Sequence, residues 1–249
     1  MRAAVIADIH GNMPALEAVL SDIGRRNVDQ TINLGDCVSG PLWPRAVCQL
    51  LMASDGLVIR GNHDRWVGSA DPGRMGASDR YAFSQLDDGH LRWLHALPAS
   101  AIAGDGVFAC HGTPLDDNEY LIETPSEGRL VRAPLTDIQQ RLGNVTSHVV
   151  LCGHSHQQHL IELPSSISIL NPGSVGCPAY NDRGDDPHVS ECGSPHARYA
   201  VLEIDRQHVS ADLIAISYDW KVAAAHAEKN GRPEWAHGLR TGWFKSILP

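Results

Sequence analysis

Five short motifs hold residues able to bind metal ions or to move protons. Asp8-Ile9-His10 is the first. On an extended strand end, residues two apart project to the same side, so this carboxylate and imidazole could share one ion. In Gly35-Asp36 the glycine allows close backbone approach, and a single carboxylate can bridge two cations. In Gly61-Asn62-His63-Asp64, Asn62 offers an amide oxygen to a metal and His63 offers an acid or a base. His111-Gly112 adds one imidazole, although a single histidine at such a place is more often a hydrogen-bonded structural residue. Gly153-His154-Ser155-His156 sets two imidazoles two residues apart, a spacing moderately specific for metal sites.

Each motif alone has a plain alternative, a polar turn. Their joint placement is harder to dismiss, because each follows an apolar run that reads as a strand. Ala3 to Ala7 stops at Asp8, Thr31 to Leu34 stops at Gly35, and Leu57 to Arg60 stops at Gly61. Between the first two runs, Met13, Leu16, Val19, Leu20 and Ile23 follow helical spacing, with Asn12 as a cap and Pro14 in the first turn. A second helix is predicted from about Pro44 through Leu51. This βαβαβ rhythm implies parallel strands whose carboxyl ends collect polar residues, the edge where open α/β sheets bind ligands.

The second half is richer in strands: Gly106 to Cys110, His148 to Cys152, His159 to Leu163, Ile167 to Leu170, Arg198 to Ile204 and His208 to Ile216. Residues 65–98 read as helical and irregular, a partial cover for the site. Residues 113–128 and 171–197 read as loops, and the second is dense in Pro, Gly, Asp and Asn. The expected organisation is one domain over 1–249. It carries cap-like insertions at about 65–98 and 113–140, a long loop at 171–197, and a C-terminal stretch, 219–249, that has no clear place. Thr113 to Tyr120 is expected near the site. His159, His188 and His196 are expected on the surface or in loops.

The 249 residues are 43% hydrophobic and 20% charged, as in a globular protein, with a formal net charge of −9. An acidic balance disfavours general binding to a phosphate backbone, and no basic run exceeds Arg25-Arg26. The N-terminal apolar run is too brief for a secretory signal, and no stretch is long enough to span a membrane. Six cysteines lack a Cys-x-x-Cys pair and are expected reduced, in the cytoplasm.

Taken in order, the motifs resemble those of the calcineurin-like metallophosphoesterases: Asp-x-His, Gly-Asp, Gly-Asn-His-Asp/Glu, His and Gly-His-x-His. Asn171-Pro172-Gly173-Ser174-Val175-Gly176 resembles a loop of the compact bacterial and archaeal phosphodiesterase-like branch, so the likeness runs from residue 8 to about 176. The resemblance implies an α/β (α+β) fold, a four-layer αββα sandwich of two mixed β-sheets flanked by helices. It implies two divalent transition metal ions, drawn from Mn, Fe, Ni, Co or Zn. Asp8, His10, Asp36 and His156 would hold one ion. Asp36, Asn62, His111 and His154 would hold the other. It also implies hydrolysis of a small phosphomonoester or phosphodiester by a metal-bridging hydroxide, with His63 protonating the leaving oxygen or stabilising the transition state. Asp64, grouped with His63 at the catalytic position, would orient a neighbouring residue, or be a surface turn carboxylate.

One departure bears on substrate. Protein phosphatases and diadenosine tetraphosphatases extend the second motif to Gly-Asp-x-Val-Asp-Arg-Gly, whereas here it reads Gly35-Asp36-Cys37-Val38-Ser39-Gly40 and lacks the arginine. Arg60 is an alternative cation that reads more simply as structural. Alternative readings are a nucleotide pyrophosphohydrolase, a nuclease, which the acidic balance opposes, and a non-catalytic scaffold, which would be expected to lose ligands this chain retains.

Overall fold

In β1 (Arg2–Ile6) successive side chains point to opposite sides, and all from Ala3 to Ile6 are buried. A strand apolar on both faces has to lie between two layers. The computed structural model, which describes residues 1–206 and 208–244, shows those layers. After β1 come α1 (Met13–Ile23), β2 (Gln30–Asn33), α2 (Pro44–Met52), β3 (Leu57–Val58), α3 (Asn62–Gly68), α4 (Ala77–Gln85) and α5 (Asp88–Ala96). Then follow β4 (Ser100–Ala103), β5 (Val107–Cys110), β6 (Glu123–Ser126), β7 (Arg129–Arg132), α6 (Leu135–Leu142), β8 (Val149–Leu151) and β9 (Gln158–Glu162). The chain continues through β10 (Ser168–Pro172), β11 (Ala179–Asp182), β12 (His188–Glu191), β13 (Ala197–Asp205), β14 (His208–Ile216), α7 (Trp220–Lys229) and α8 (Pro233–Thr241).

Two five-stranded sheets, ordered β14-β13-β1-β2-β3 and β4-β5-β8-β10-β9, form the centre. Strands β1, β2 and β3 are parallel, as the βαβαβ rhythm requires, and β13 closes antiparallel on β1. Ala3, Val5, Ile32 and Leu34 of the first sheet pack on Val107, Ala109, Val149 and Leu151 of the second. Ala4 and Ile6 face the other way, onto Leu16 and Val19 of α1 and Val47 and Leu51 of α2. On the far side, Val150 and Ile169 meet Ile138 and Leu142 of α6. These are the expected αββα layers.

The chain adds a third sheet, ordered β11-β12-β7-β6. β6, β11 and β12 lie within 113–128 and 171–197, so the stretches read as loops are partly strand, and β7 lies in the expected insertion at 113–140. They escaped notice because they are four residues each and polar or half-exposed, with Pro125 inside β6. Strand β4 and helix α6 were likewise not anticipated. The C-terminal stretch forms a pair of helices. Ala223, Ala224 and Ala227 of α7 pack on Ala236 and Leu239 of α8 and on Leu42. Among the described residues no helix is long and apolar enough to cross a membrane.

Candidate metal centre

The motif residues gather at the carboxyl ends of β1, β2, β5 and β8 and at the start of α3. The loops after β2 and β3 touch, and their glycines permit it. A Cβ on Gly61 would lie 2.1 Å from Asp36 Oδ1, and one on Gly35 would lie 2.2 Å from Gly61 N. The sequence argument for Asp8 and His10 assumed extended backbone, and the structure differs. Asp8 has φ 56° and His10 φ 50°, and Asp36, His154 and His156 share this left-handed conformation at 55°, 67° and 62°. Non-glycine residues adopt it at a cost of about 1–3 kcal/mol each, and such strain concentrates at functional sites. The carboxylate and imidazole therefore converge through tight turns, not through strand pleating.

Two groups of potential ligand atoms result: Asp8, His10 and His156, and Asp36, His111 and His154. Asp36 lies between them. Its Oδ2 is 3.3 Å from His111 Nε2 and 3.9 Å from His10 Nε2, while its Oδ1 accepts the His63 backbone N–H at 3.0 Å. Asp8 Oδ1 is 3.4 Å from His156 Nε2. Asn62 contacts Asn118, whose carbonyl in turn meets His154 of the second group.

The histidines are oriented by their other nitrogens. Nδ1 of His10, His111 and His156 each donates to a backbone carbonyl, of Ser39, Leu34 and Cys177 respectively, at 2.7 Å. Nε2 of each then faces the centre, as in metal-bound histidines. His154 is reversed: its Nε2 donates to the Asn118 carbonyl at 3.2 Å, leaving Nδ1 inward. Burial and the neighbouring imidazole of His156 push His10 down to about 4, and burial with His111 pushes His154 down to about 3. Burial acts the same way on their partners, but the Asp36 carboxylate raises His111 to about 9 and the Asp8 carboxylate holds His156 well above the usual imidazole range.

Whether a metal pair fits can be judged from the polar atoms left over. Asp8 Oδ1, Asn62 Oδ1 and His111 Nε2 are buried without a hydrogen-bond partner. Nε2 of His10 and of His156 face each other at 3.2 Å, although both rings spend their Nδ1 proton on a carbonyl. Two lone pairs so placed need a proton or a cation between them, and buried orphan acceptors are costly. Oxygen and imidazole donors in these numbers fit two divalent transition ions.

His63 borders both groups. Its ring is 5.6 Å from that of His10, and its Nδ1 is 2.7 Å from Asp79 Oδ1. Asp79, buried at the start of α4, also accepts from Ser39 Oγ at 2.7 Å and from Gly76 N at 2.8 Å. Burial pulls the His63 imidazole down, but the Asp36 and Asp79 carboxylates outweigh it and raise it to about 9. Asp64, expected either to orient a neighbour or to lie in a surface turn, is not at the surface. It is fully buried, and its carboxylate accepts Cys37 N at 2.9 Å and Gly61 N at 3.1 Å. It straps the Asp36 loop to the start of α3, and the carboxylate on His63 is Asp79. Nothing in the sequence marked Asp79, which lies in the helical insertion 16 residues beyond His63.

The segment expected near the site is there. Asn118 Oδ1 accepts from Asn62 Nδ2 at 3.2 Å, besides its carbonyl contact to His154. Asp117 holds this segment to α3 by a bidentate pair with Arg65, at 2.8 and 2.6 Å. Tyr120 stacks on His154 at 4.6 Å, and its hydroxyl lies 2.9 Å from both the Tyr180 hydroxyl and His188 Nε2. His188, expected in a surface loop, is thus a buried member of the third sheet. The motifs line a cavity of about 720 Å³ whose outer walls come from Trp66, Tyr180, Arg232 and Trp235. Arg60 does not line it.

Comparison with known proteins agrees with this geometry. A family model described as the calcineurin-like phosphoesterase superfamily domain matches residues 1–206. An uncharacterized protein of Methanocaldococcus jannaschii is 27% identical over 250 residues, covering 93% of this chain and 94% of that one. The crystal structure of a metallophosphoesterase from Sphaerobacter thermophilus superposes with TM-score 0.73 at 27% identity, over 98% of this chain and 100% of the other. A hypothetical protein from Pyrococcus horikoshii OT3 shares the fold with TM-score 0.74 at 20% identity, over 98% and 99% of the two chains.

Proposed function

Since this chain belongs to the calcineurin-like phosphoesterase superfamily, we propose that it is a dinuclear metal-dependent hydrolase of small phosphoesters. The observation that carries this reading is the pair of ligand groups, Asp8/His10/His156 and Asp36/His111/His154, with Asp36 between them and orphaned donor atoms in both. Asn62 completes the second group in this reading, and Asp36 is shared. The metal pair, of Mn, Fe, Ni, Co or Zn, supplies Lewis acidity when bound: it makes water nucleophilic at neutral pH and draws charge from the phosphoryl oxygens.

The chain's own residues do the rest. Nδ1 of His63 is held by Asp79, so Nε2 is the nitrogen left for the cavity. In the protonated ring, Nε2–H is the proton donor for the departing oxygen, and the Asp79 carboxylate stabilises the positive charge until transfer. Asp64 is proposed as a positioning residue that keeps Asp36 and Asn62 in register. The cavity, about 720 Å³, is of the size that small ligands occupy. A cytoplasmic setting is part of this proposal, resting on the cysteine pattern of the sequence.

The test is reconstitution with Mn, Fe, Ni, Co and Zn, followed by metal analysis and by assays of p-nitrophenyl phosphate against bis-p-nitrophenyl phosphate. About two ions per chain and turnover of at least one ester are expected. A stoichiometry near zero with saturating metal would overturn the reading. Metal binding without any hydrolysis would favour the scaffold alternative.

A further inference from the structure

The two ring pairs beside the candidate centre have a common pattern. Trp66, one turn after His63 on α3, meets its ring edge-on at 4.8 Å and 84°. Trp235, on α8, meets the His10 ring at 6.0 Å and 69°. Each of the two central histidines thus has an indole beside it, and both indoles line the cavity while half-buried. Trp235 comes from the C-terminal helix pair, beyond the stretch that the family model matches. Its position is held. The indole packs against the α7–α8 apolar cluster, and the Arg232 guanidinium lies 6.0 Å over its ring. Arg232 is itself tied to Glu234 and to Ser78 Oγ of α4. This wall is a fixed feature that bridges the C-terminal helices to the cover over His63.

Charge narrows what such a wall receives. Apart from Asp36, a candidate ligand, and the protonated His63 beside it, the charged side chains lining the cavity among the described residues are Asp182, Arg183, Arg232 and Glu234. Two cations and two anions leave the outer cavity electrically balanced, and Arg232 is already paired. A single phosphate finds its countercharge in the metal centre. Among the described residues the outer wall offers a second phosphate no surplus cation, and the arginine that grips extra phosphate in the extended second motif is missing after Asp36. An uncharged flat ring, by contrast, can pack against the part of the Trp235 indole that lines the cavity, and aromatic contact of this kind tolerates any base or aryl group.

We propose that Trp235 is the specificity wall of this enzyme, receiving the uncharged aromatic ring of an ester that bears a single phosphate. This rests on the phosphoesterase reading above. Nucleoside monophosphates and aryl phosphates have the required chemistry. Dinucleoside polyphosphates and nucleic acid lack it, because they carry phosphate charge into the balanced part of the cavity.

The experiment compares AMP with ribose 5-phosphate on the metal-reconstituted full chain. Both release a primary 5′-alkoxide, so leaving-group strength cancels and the base is what differs. AMP is expected to be favoured about tenfold or more in kcat/KM, mainly through KM, with ADP used less efficiently than AMP. Trp235→Leu should bring the AMP to ribose 5-phosphate ratio toward unity, and Trp235→Phe should restore much of it. Equal efficiencies in the wild type, or a ratio unchanged by Trp235→Leu, would overturn the proposal. Should Trp235→Leu fail to fold, product inhibition of the wild type by adenosine decides, and its absence counts against the proposal. A protein that binds two ions and hydrolyses none of these esters overturns the phosphoesterase reading instead. In that case a fluorescence titration with adenosine, wild type against Trp235→Phe, still tests the ring site.

Discussion

His63 Nδ1 sits 2.7 Å from Asp79 Oδ1, joining the first turn of α3 to the first turn of α4. Ser39 Oγ donates to the same carboxylate oxygen, so the loop after β2 takes part in the same network. This fixes which nitrogen of His63 is spent inside the protein and which is left for the cavity. Replacing His63 by Asn should lower turnover of alkyl phosphoesters on the order of 10²–10⁴-fold, the usual range of general acid assistance. Metal content should stay near wild type. The loss should shrink for p-nitrophenyl esters, whose leaving anion needs little protonation. Parallel assays of both ester types with metal analysis check this, and an unchanged alkyl-ester rate would exclude the role.

Asp79 acts through His63, and its removal has a directional signature. The Asp79 carboxylate is one of the groups that raise the His63 imidazole. In Asp79→Asn the imidazolium should deprotonate at lower pH, so the alkaline limb of the rate profile should move to lower pH. A drop in kcat of about tenfold or more for alkyl esters is expected alongside. A pH profile superimposable on the wild type would show that Asp79 is merely structural.

Because Asp36 Oδ2 faces histidines of both groups, Asp36→Asn should weaken both metal sites together. Asp8→Asn and His10→Ala should fall mainly on the site that includes His156. Calorimetric titration with Mn resolves the two. If Asp36→Asn left both affinities intact, the shared role would be lost.

The bidentate Arg65–Asp117 pair steadies Asn118, which contacts both Asn62 and His154. Asp117→Ala should therefore weaken one ion selectively, by about 10–100-fold, as losses of supporting contacts around metal ligands generally do. Equal weakening of both ions, or none, would count against this arrangement.

Asp64 ties two backbone amides that no water reaches, at Cys37 and Gly61. Asp64→Ala should destabilise the fold by about 1–3 kcal/mol, the usual penalty for stranding buried donors. Thermal unfolding of the metal-free protein measures it. A variant of wild-type stability with reduced turnover would instead return Asp64 to the catalytic group.

The sequence by itself determined the scaffold of the centre. Apolar runs such as Ala3 to Ala7 and Val149 to Cys152 end at the motif residues, and a short continuous apolar run stopped by polar residues needs only local pattern to be read. Asn12, capping α1 and accepting Ala15 N at 3.3 Å, was equally legible because capping is local. What tertiary structure decided are relations between distant or pattern-free residues. Asp8 and His10 converge by left-handed turns, a backbone choice imposed by packing among loops and invisible in the residue types. Asp79 reaches His63 only because α4 folds back over α3, while Asp64, one residue from His63, is drawn toward the amides of Cys37 and Gly61. The third sheet pairs strands too short and too polar to show an alternation, so its register with Tyr120 and His188 appears only in space. Trp235 lies 225 positions after His10 and meets it through the packing of Ala223, Ala224 and Ala236 against Leu42. Contacts of that span depend on how whole elements stack, and no window along the chain carries them.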